Sequence, residues 1–491
     1  MCVDYEAMTS LKKSFAWAGV EQFAPKAIQI VVSILLARIL APADFGLLGM
    51  LALFMAAATV FADSGLSASL VQNQKTTRDD ETSVFYINIV LGLLLALLLC
   101  AISPFVAKFY GQDLLVPLLC VQSISLPISS FAIVQGAIMT RAMEFRAIAL
   151  ITLAATLTTG AVGLGMAYYG YGVWSLIGAS LAGNITRVIL YWAVSSWRPR
   201  GKLRISNIRS IWNFSSFLLY CQLIGIVYQN MYSVIIGKFY SVNSLGYYNR
   251  ANNLHMLPAG VMSGMIGKVA FPLFSKMQDD KIRLLAKMRQ LIRISLMFSA
   301  AGMALLAIIA DPLIPLLMTE KWMPAVPLLR VLCYSAMIYP ISAMFLMALQ
   351  AQGHSRLNFR LESIKVIIGV IVVLSVAQYG VLALVWSVVA LRSIAYFINV
   401  WYHVKFLGYR WRDQAFDILP TFAICGVAAY LSWQVALFEL SSPLLLMITR
   451  SIAFIGVVVS GVILLRKVFF ADLWEQGSEM LRHGLNKLRR A

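Results

Sequence analysis

The residues best placed to do chemistry in this chain are ionisable side chains inside long apolar segments. Lys26, Arg187 and Arg392 fall near the middle of such segments. A charge there costs at least ~2.5–3.5 kcal/mol unless it faces water or a partner. We therefore expect these three side chains to line a polar cavity. Further candidate cavity cations are Arg38, Lys268 and Arg330, although Lys268 lies near a span end, where snorkelling to the interface explains it more readily.

Acidic residues are rarer than basic ones in the same segments, and this balance suits an anionic substrate, because Arg and Lys bind phosphate oxygens. Glu21 and Asp63 are the candidates for coupling transport to protons or Na⁺. Glu21 is also placed to form a structural ion pair with Lys26, and Asp63 to cap a helix or turn. Pro25 frees a backbone carbonyl, so it predicts a kink or break in the first helix.

No enzyme constellation accompanies these charges. The four His residues are scattered without metal-ligand spacing, and no phosphate-binding glycine loop is present. The six Cys residues lie mostly in apolar runs, which favours buried thiols over a disulfide framework or a metal site. The sequence therefore predicts a non-enzymatic protein without a metal or cofactor.

The elements that must position these charges are membrane-spanning helices. The 491 residues are 60% hydrophobic and only 12% charged, whereas soluble domains are about a quarter charged. Apolar runs of spanning length, about 20 residues, recur from end to end. They predict an all-α polytopic fold with spans at about 14–38, 45–70, 84–103, 114–138, 148–168, 173–194, 214–237, 254–274, 294–318, 326–350, 362–378, 381–404, 418–438 and 444–466.

The basic residues orient these fourteen predicted spans. Of the 40 Lys and Arg, 27 lie in one alternating set of connections and the tails, and only 5 in the other set. Because cytoplasmic connections collect Lys and Arg, both termini are predicted to be cytoplasmic. The net charge of +19 is then explained by the inner loops, and nucleic acid is not expected as a partner.

An internal repeat divides the spans into two lobes. Arg38, Asp44 and Gly46 around one helix–turn–helix align with Lys238, Ser244 and Gly246 around another. Self-similarity at this distance indicates two related six-helix lobes followed by two extra helices. The predicted parts are an N-terminal lobe at 1–194, a basic linker at 195–213, a C-terminal lobe at 214–404, an appendage at 405–466 and a cytoplasmic tail at 467–491.

Five motifs in order resemble the Wzx-type polysaccharide flippases of the multidrug/oligosaccharidyl-lipid/polysaccharide exporter superfamily, and most of all their colanic acid exporter branch. The motifs are LLARILAPADFGLLGM (35–50), FADSGLSASLVQ (61–72), SLGYYNRANNLHMLP (244–258), FPLFSKMQDD (271–280) and TEKWMPAVPLLRVLC (319–333). The resemblance implies alternating access driven by an ion gradient. The implied substrate is an undecaprenyl-diphosphate-linked oligosaccharide, moved across a bacterial inner membrane. Implied partners are membrane lipids and, at the next steps, a polysaccharide polymerase and a chain-length regulator.

Other functions stay open at this point. A multidrug or organic cation antiporter of the same superfamily would favour carboxylates over cations in the membrane. A lipid II flippase shares the cation-rich cavity. A membrane glycosyltransferase or polymerase is disfavoured by the short outer connections, and a membrane scaffold by the cost of the buried charges.

Overall fold

The computed structural model describes residues 24–63, 70, 77–201, 208–434 and 442–465. Glu21 and both predicted cytoplasmic tails lie outside the described residues. The helices are α1 (24–39), α2 (Pro42–Asp63), α3 (Arg78–Tyr110), α4 (Leu115–Ser123), α5 (Ser125–Arg141), α6 (Phe145–Tyr168), α7 (Trp174–Val194), α8 (Ile208–Phe239), α9 (Val242–Ser275), α10 (Lys281–Met318), α11 (Ala325–Met337), α12 (Tyr339–Ala351), α13 (Ser355–Val376), α14 (Val381–Leu407), α15 (Trp411–Gln434) and α16 (Pro443–Leu465).

Within the described residues, ten helical segments are long and apolar enough to cross a membrane, with α4–α5 and α11–α12 each forming one span. The predicted all-helical polytopic fold is therefore confirmed. The four other predicted spans fall on α1, α8, α9 and α13, which are helical but are not among the ten. The total of fourteen spans stays a prediction.

The chain folds into two compact units, residues 1–246 and 247–491. The first holds α1 to α8 and the first turn of α9, and the second holds the rest of α9 and the helices that follow. The predicted lobe boundaries stay a prediction. The compact units are defined by contacts in space, whereas the lobes are defined by similarity in sequence, so one does not test the other.

The two copies of the repeated motif meet in the first unit. A Cβ placed on Gly46 would lie 2.0 Å from the carbonyl oxygen of Val242, and one on Gly246 would lie 2.0 Å from that of Pro42. Pro42 and Val242 are the first residues of α2 and α9. Each helix start is thus packed against the backbone of the other at its own glycine, where any side chain would collide with a carbonyl.

Local hydrogen bonds hold the two helix starts in this geometry. Asp44 accepts the backbone N–H of Ala41 through Oδ2 at 2.9 Å, and Ser241 accepts the backbone N–H of Ser244 through Oγ at 3.2 Å. Such side-chain acceptors satisfy donors that a helix start leaves unpaired. The aligned turns are therefore capped in opposite directions: Asp44 reaches back to the residue before the helix, and Ser241 reaches forward to Ser244.

Two spans are interrupted at corresponding prolines. α4 and α5 are separated by Ile124, and α11 and α12 by Ile338, with Pro127 and Pro340 shortly after each break. A proline has no N–H for the carbonyl four residues before it, so each span loses a helical hydrogen bond there. In the second unit that carbonyl, on Ala336, accepts the hydroxyl of Ser299 at 3.4 Å.

The segment that follows α7 is fixed to the start of α3. Glu81, which is buried, accepts Arg141 Nη2 at 2.7 Å and Trp197 Nε1 at 2.8 Å. The backbone N–H of Gly201 donates to Thr82 Oγ1 at 3.0 Å. The first residues of the predicted linker therefore lie against the helix bundle, and a buried carboxylate with two donors is the anchor.

In the second unit, a buried carboxylate joins α15 to the long helix α10. Asp417 has a fully buried side chain and accepts Arg289 Nε at 2.7 Å and the hydroxyl of Tyr409 at 2.7 Å. Tyr409 lies between α14 and α15. Its pKa is raised by burial and then by the adjacent carboxylate, so its hydroxyl keeps its proton and remains a donor to Asp417.

We expect Gly46→Ala and Gly246→Ala each to lower stability, because the added methyl group would overlap a backbone carbonyl that cannot rotate away. Overpacking of this kind costs about 1–3 kcal/mol. The measurement is the melting temperature of the purified protein in detergent. Gly165→Ala is the matched control, since a Cβ there meets no atom within 4 Å. Equal melting temperatures for all three variants would contradict the close crossing.

Candidate functional site

The candidate site is an open cavity of about 700 Å³ in the first unit, lined by α2, α5 and α7. Its volume falls in the range of small-molecule sites, about 300–1,000 Å³. Its polar lining comes from hydroxyl, amide and charged side chains. These are Thr59 and Asp63 on α2, Ser129 and Thr140 on α5, and Asn184, Arg187 and Tyr191 on α7.

Helical spacing explains why these residues share one cavity. On α5 the lining positions Ser129, Ala132, Gly136 and Thr140 recur every three or four residues, which places them on one face. Because these side chains are small, that face leaves space in front of it. A Cβ on Gly136 would already lie 3.6 Å from the hydroxyl of Tyr191, so a larger residue there would reduce the cavity.

The cavity brings together one predicted cation and one predicted ion-coupling acid. Arg187 and Asp63 both line it. Oδ1 of Asp63 is buried and has no hydrogen-bond partner among the described residues. No ion pair of either side chain is found among the described residues. A buried polar atom without a partner is costly, so this acid is placed to receive a proton, an ion or a donor from a bound molecule.

A second group of polar residues surrounds Arg392 in the second unit. Its Nη1 donates to the carbonyl of Ser335 at 3.3 Å, and its guanidinium lies 5.5 Å from the centre of the Tyr339 ring. Ser335 and Tyr339 flank the break between α11 and α12. His255 on α9 lies within electrostatic range of the same guanidinium. Arg392 is therefore held at the proline-interrupted part of a span.

The two groups use corresponding elements of the repeat. Arg187 on α7 shares its cavity with residues of α5, which follows one break, and Arg392 on α14 contacts both sides of the other break. Asn184 follows Gly172 by twelve residues, and Arg392 follows Gly380 by twelve. One unit thus has an amide, and the other a guanidinium, at the same place in the repeat.

The remaining predicted site residues lie elsewhere or are not described. Lys26 and Arg38 are exposed on α1 and are not among the residues that line the cavity. Arg330 is paired with Asp311, so an acid that was given no role in the prediction compensates it. Glu21 and the side chain of Lys268 lie outside the part of the chain that the structure describes.

Several polar residues of these groups were not predicted from the sequence. Asn184, Ser129, Thr140 and Tyr339 are neutral, and a search for charges in apolar segments passes over them. The regular spacing of small residues on α5 is the signal that could have indicated a cavity face. Across the described residues, no group of three or more His, Cys, Asp or Glu is arranged to hold a metal ion.

Residues 35–327 match the family model described as "Polysaccharide biosynthesis protein". The chain belongs to this family. The match covers more than half of its length and includes α2, α5 and α7, which line the cavity.

Curated relatives support the same family assignment. The teichuronic acid biosynthesis protein TuaB of Bacillus subtilis is 24% identical over 86% of this chain and 88% of its own. The succinoglycan biosynthesis transport protein ExoT of Rhizobium meliloti is 23% identical over 71% of each chain. The lipopolysaccharide biosynthesis protein WzxC of Escherichia coli is 22% identical, also over 71% of each. The family resemblance carried by the five motifs is confirmed.

Solved structures show the same fold. The lipid II flippase MurJ, in an inward closed conformation, superposes with a TM-score of 0.74 at 14% identity and covers 92% of this chain and 99% of its own. An inward-facing multidrug resistance transporter of the MATE family gives a TM-score of 0.63 at 13% identity, with 80% and 98% covered. At these identities the likeness concerns the fold alone.

We expect Arg187→Cys and Asp63→Cys to react with a water-soluble thiol reagent, because both positions line an open cavity that contains charged and polar side chains. Cys introduced at Ile177, also on α7 but fully buried, is the matched control and should stay unreacted. The measurement is labelling of the membrane-inserted protein after the six native Cys are replaced. Protection of both cavity positions would contradict aqueous access.

Proposed function

We propose that this protein is a flippase that moves undecaprenyl-diphosphate-linked oligosaccharide repeat units from the inner to the outer leaflet of a bacterial inner membrane. The observation that carries the proposal is a cavity in a polysaccharide biosynthesis protein, lined by an exposed Arg187 that has no ion pair among the described residues. Curated relatives named for polysaccharide biosynthesis and transport support the substrate class.

The cavity offers complementary groups for the two polar parts of such a substrate. The Arg187 guanidinium presents paired N–H donors that match the oxygens of a diphosphate. Asn184, Ser129 and Thr140 offer neutral donors and acceptors of the kind that sugar hydroxyls require. The polyprenyl chain needs no polar contact and can stay in lipid. The protein then acts by binding and exposure to alternate sides, with no covalent chemistry.

In this proposal Asp63 couples transport to a proton or Na⁺ gradient. Its buried oxygen, without a hydrogen-bond partner among the described residues, makes it the better-described of the two ion-coupling candidates. Proton or Na⁺ binding there would cancel a negative charge beside Arg187 and alter the electrostatic balance of the cavity. A proton or Na⁺ shifts a conformational equilibrium only when it binds the two conformations with different affinity. Coupling therefore requires that Asp63 bind the ion more tightly in one conformation of the protein than in the other.

The buried carboxylate oxygen of Asp63 also favours a competing function, transport of an organic cation. An organic cation antiporter would use the Asp63 carboxylate to bind a positively charged substrate, and Arg187 would then repel it. A lipid II flippase would instead use the same diphosphate contacts with a different sugar. The three functions predict different consequences for the same two side chains.

We also propose that both termini are cytoplasmic and that a polysaccharide polymerase and a chain-length regulator act on the exported product. The distribution of 27 against 5 basic residues supports the orientation. Reporter fusions after Gln112, between α3 and α4, and after Lys281, at the start of α10, test it. They should report opposite sides of the membrane, and the same side for both would reverse the assignment.

Deletion of the gene should cause lipid-linked repeat units to accumulate on the inner leaflet and should remove one surface polysaccharide. Arg187→Gln should restore export poorly, because loss of one charge-assisted hydrogen bond weakens binding about ten- to a hundredfold. Arg200→Gln, at an exposed position of the same unit, is the matched control and should restore export fully. Export is measured per amount of membrane-inserted protein.

A different pattern would replace the proposal. If deletion leaves every surface polysaccharide intact and sensitises cells to cationic drugs, the protein is an antiporter. In that case Asp63→Asn, rather than Arg187→Gln, should abolish function. Loss of peptidoglycan synthesis on deletion would instead identify a lipid II flippase.

A further inference from the structure

Four side chains from four helices of the second unit meet at one end of the bundle. They are Asp311 near the end of α10, Arg330 near the start of α11, Trp433 at the end of α15 and Arg450 near the start of α16. The guanidinium carbons of Arg330 and Arg450 lie 4.9 and 5.0 Å from the centre of the Trp433 ring. We name this group the Arg330–Arg450 cluster.

The cluster has more positive than negative charge. Asp311 forms an ion pair with Arg330, and the same carboxylate oxygen lies 3.6 Å from Nη1 of Arg450. Among the described residues no other carboxylate pairs with either guanidinium. Among the described residues, one carboxylate thus serves two permanently charged groups, which leaves an excess charge of +1.

Backbone carbonyls of α10 accept only some of the N–H groups of the two guanidiniums. Arg450 Nη1 donates to the carbonyl of Ile308 at 3.1 Å. That carbonyl is free because Pro312, four residues later, has no N–H. Arg330 Nε donates to the carbonyl of Ala307 at 3.3 Å. Arg450 is 4% exposed, yet its buried Nε has no acceptor in the part of the chain that the structure describes.

The cluster nevertheless has an accessible side. The side chains of Arg330 and Asp311 are 25% and 32% exposed, and Trp433 is half-exposed beside them. Tryptophan is enriched at the level of lipid headgroups. The charged groups are therefore accessible from outside the helices, and an aromatic ring of the type that borders lipid headgroups lies beside them.

We propose that the Arg330–Arg450 cluster binds a phosphoryl anion, supplied by a lipid headgroup or by free phosphate. A singly charged phosphodiester would balance the excess charge of +1. Its oxygens would accept the guanidinium N–H groups that Asp311 and the carbonyls leave unpaired, in the planar geometry that Arg prefers. By the proposed topology the cluster faces the outer leaflet. The site is separate from the Arg187 cavity and does not depend on which substrate is transported.

Replacement of Asp311 distinguishes a phosphoryl site from a structural ion pair. In a phosphoryl site this carboxylate competes with the anion, so Asp311→Asn should increase phosphate affinity about tenfold or more. Arg330→Gln should decrease it by about the same factor, because a charge-assisted hydrogen bond is lost. Glu320→Gln removes an exposed acid just beyond the same end of α10 and is the matched control, with no change expected.

The measurement is the melting temperature of the purified full-length protein during titration with inorganic phosphate, against chloride at equal ionic strength. A second arm compares nanodiscs of phosphatidylglycerol with nanodiscs of phosphatidylcholine. Stabilisation in the lipid arm alone identifies a headgroup site, and saturable stabilisation by inorganic phosphate identifies a site for the free anion.

Both of those outcomes support the proposal when Asp311→Asn strengthens the response and Arg330→Gln weakens it. If Asp311→Asn lowers the melting temperature and does not strengthen the response to phosphate, the proposal is overturned. Asp311 would then serve only to fasten α16 to α10 through its ion pairs. If Asp311→Asn does not fold, the Arg330→Gln comparison decides. A full wild-type response from Arg330→Gln would also overturn the proposal.

Discussion

The constraint on which this structure depends is the cost of holding a charge among apolar helices. Three acids meet that constraint with donors from other parts of the chain. Glu81 has Arg141 and Trp197, Asp417 has Arg289 and Tyr409, and Asp311 has Arg330 and Arg450. Each of these groups fastens segments that are distant in sequence. Because a buried charge without a partner is strongly unfavourable, such groups also fix which helices lie together.

Against this background the Arg187 cavity is different. Its arginine and its aspartate are found in no ion pair among the described residues, and space remains in front of them. A helix bundle can retain such an arrangement when water or a ligand provides the missing interactions. The space beside Arg187 and Asp63, which the charge groups that fasten helices do not offer to a large substrate, is the physical basis for assigning transport to the cavity.

The sequence predicted the helices well and the partners of the charges less well. Apolar run length located ten helical segments of spanning length, since only helices satisfy their own backbone within lipid. The aligned Gly46 and Gly246 indicated the duplication, although not that each glycine packs against the start of the other helix. Arg330 was expected in a cavity, but its pairing with Asp311 depends on the packing of α10 against α11, which periodicity does not specify. Asn184 was missed because a neutral amide gives no charge signal.

The central claim is that the protein carries a diphosphate-linked glycolipid across a membrane by means of the Arg187 cavity. The most direct measurement uses proteoliposomes that contain the purified protein and the lipid-linked repeat unit on one leaflet, with an imposed ion gradient. The account predicts that the sugar becomes accessible to a membrane-impermeant lectin on the opposite side, and that Arg187→Gln slows this transfer about tenfold or more. Transfer at the rate of protein-free vesicles, or equal transfer by the wild type and Arg187→Gln, would contradict it.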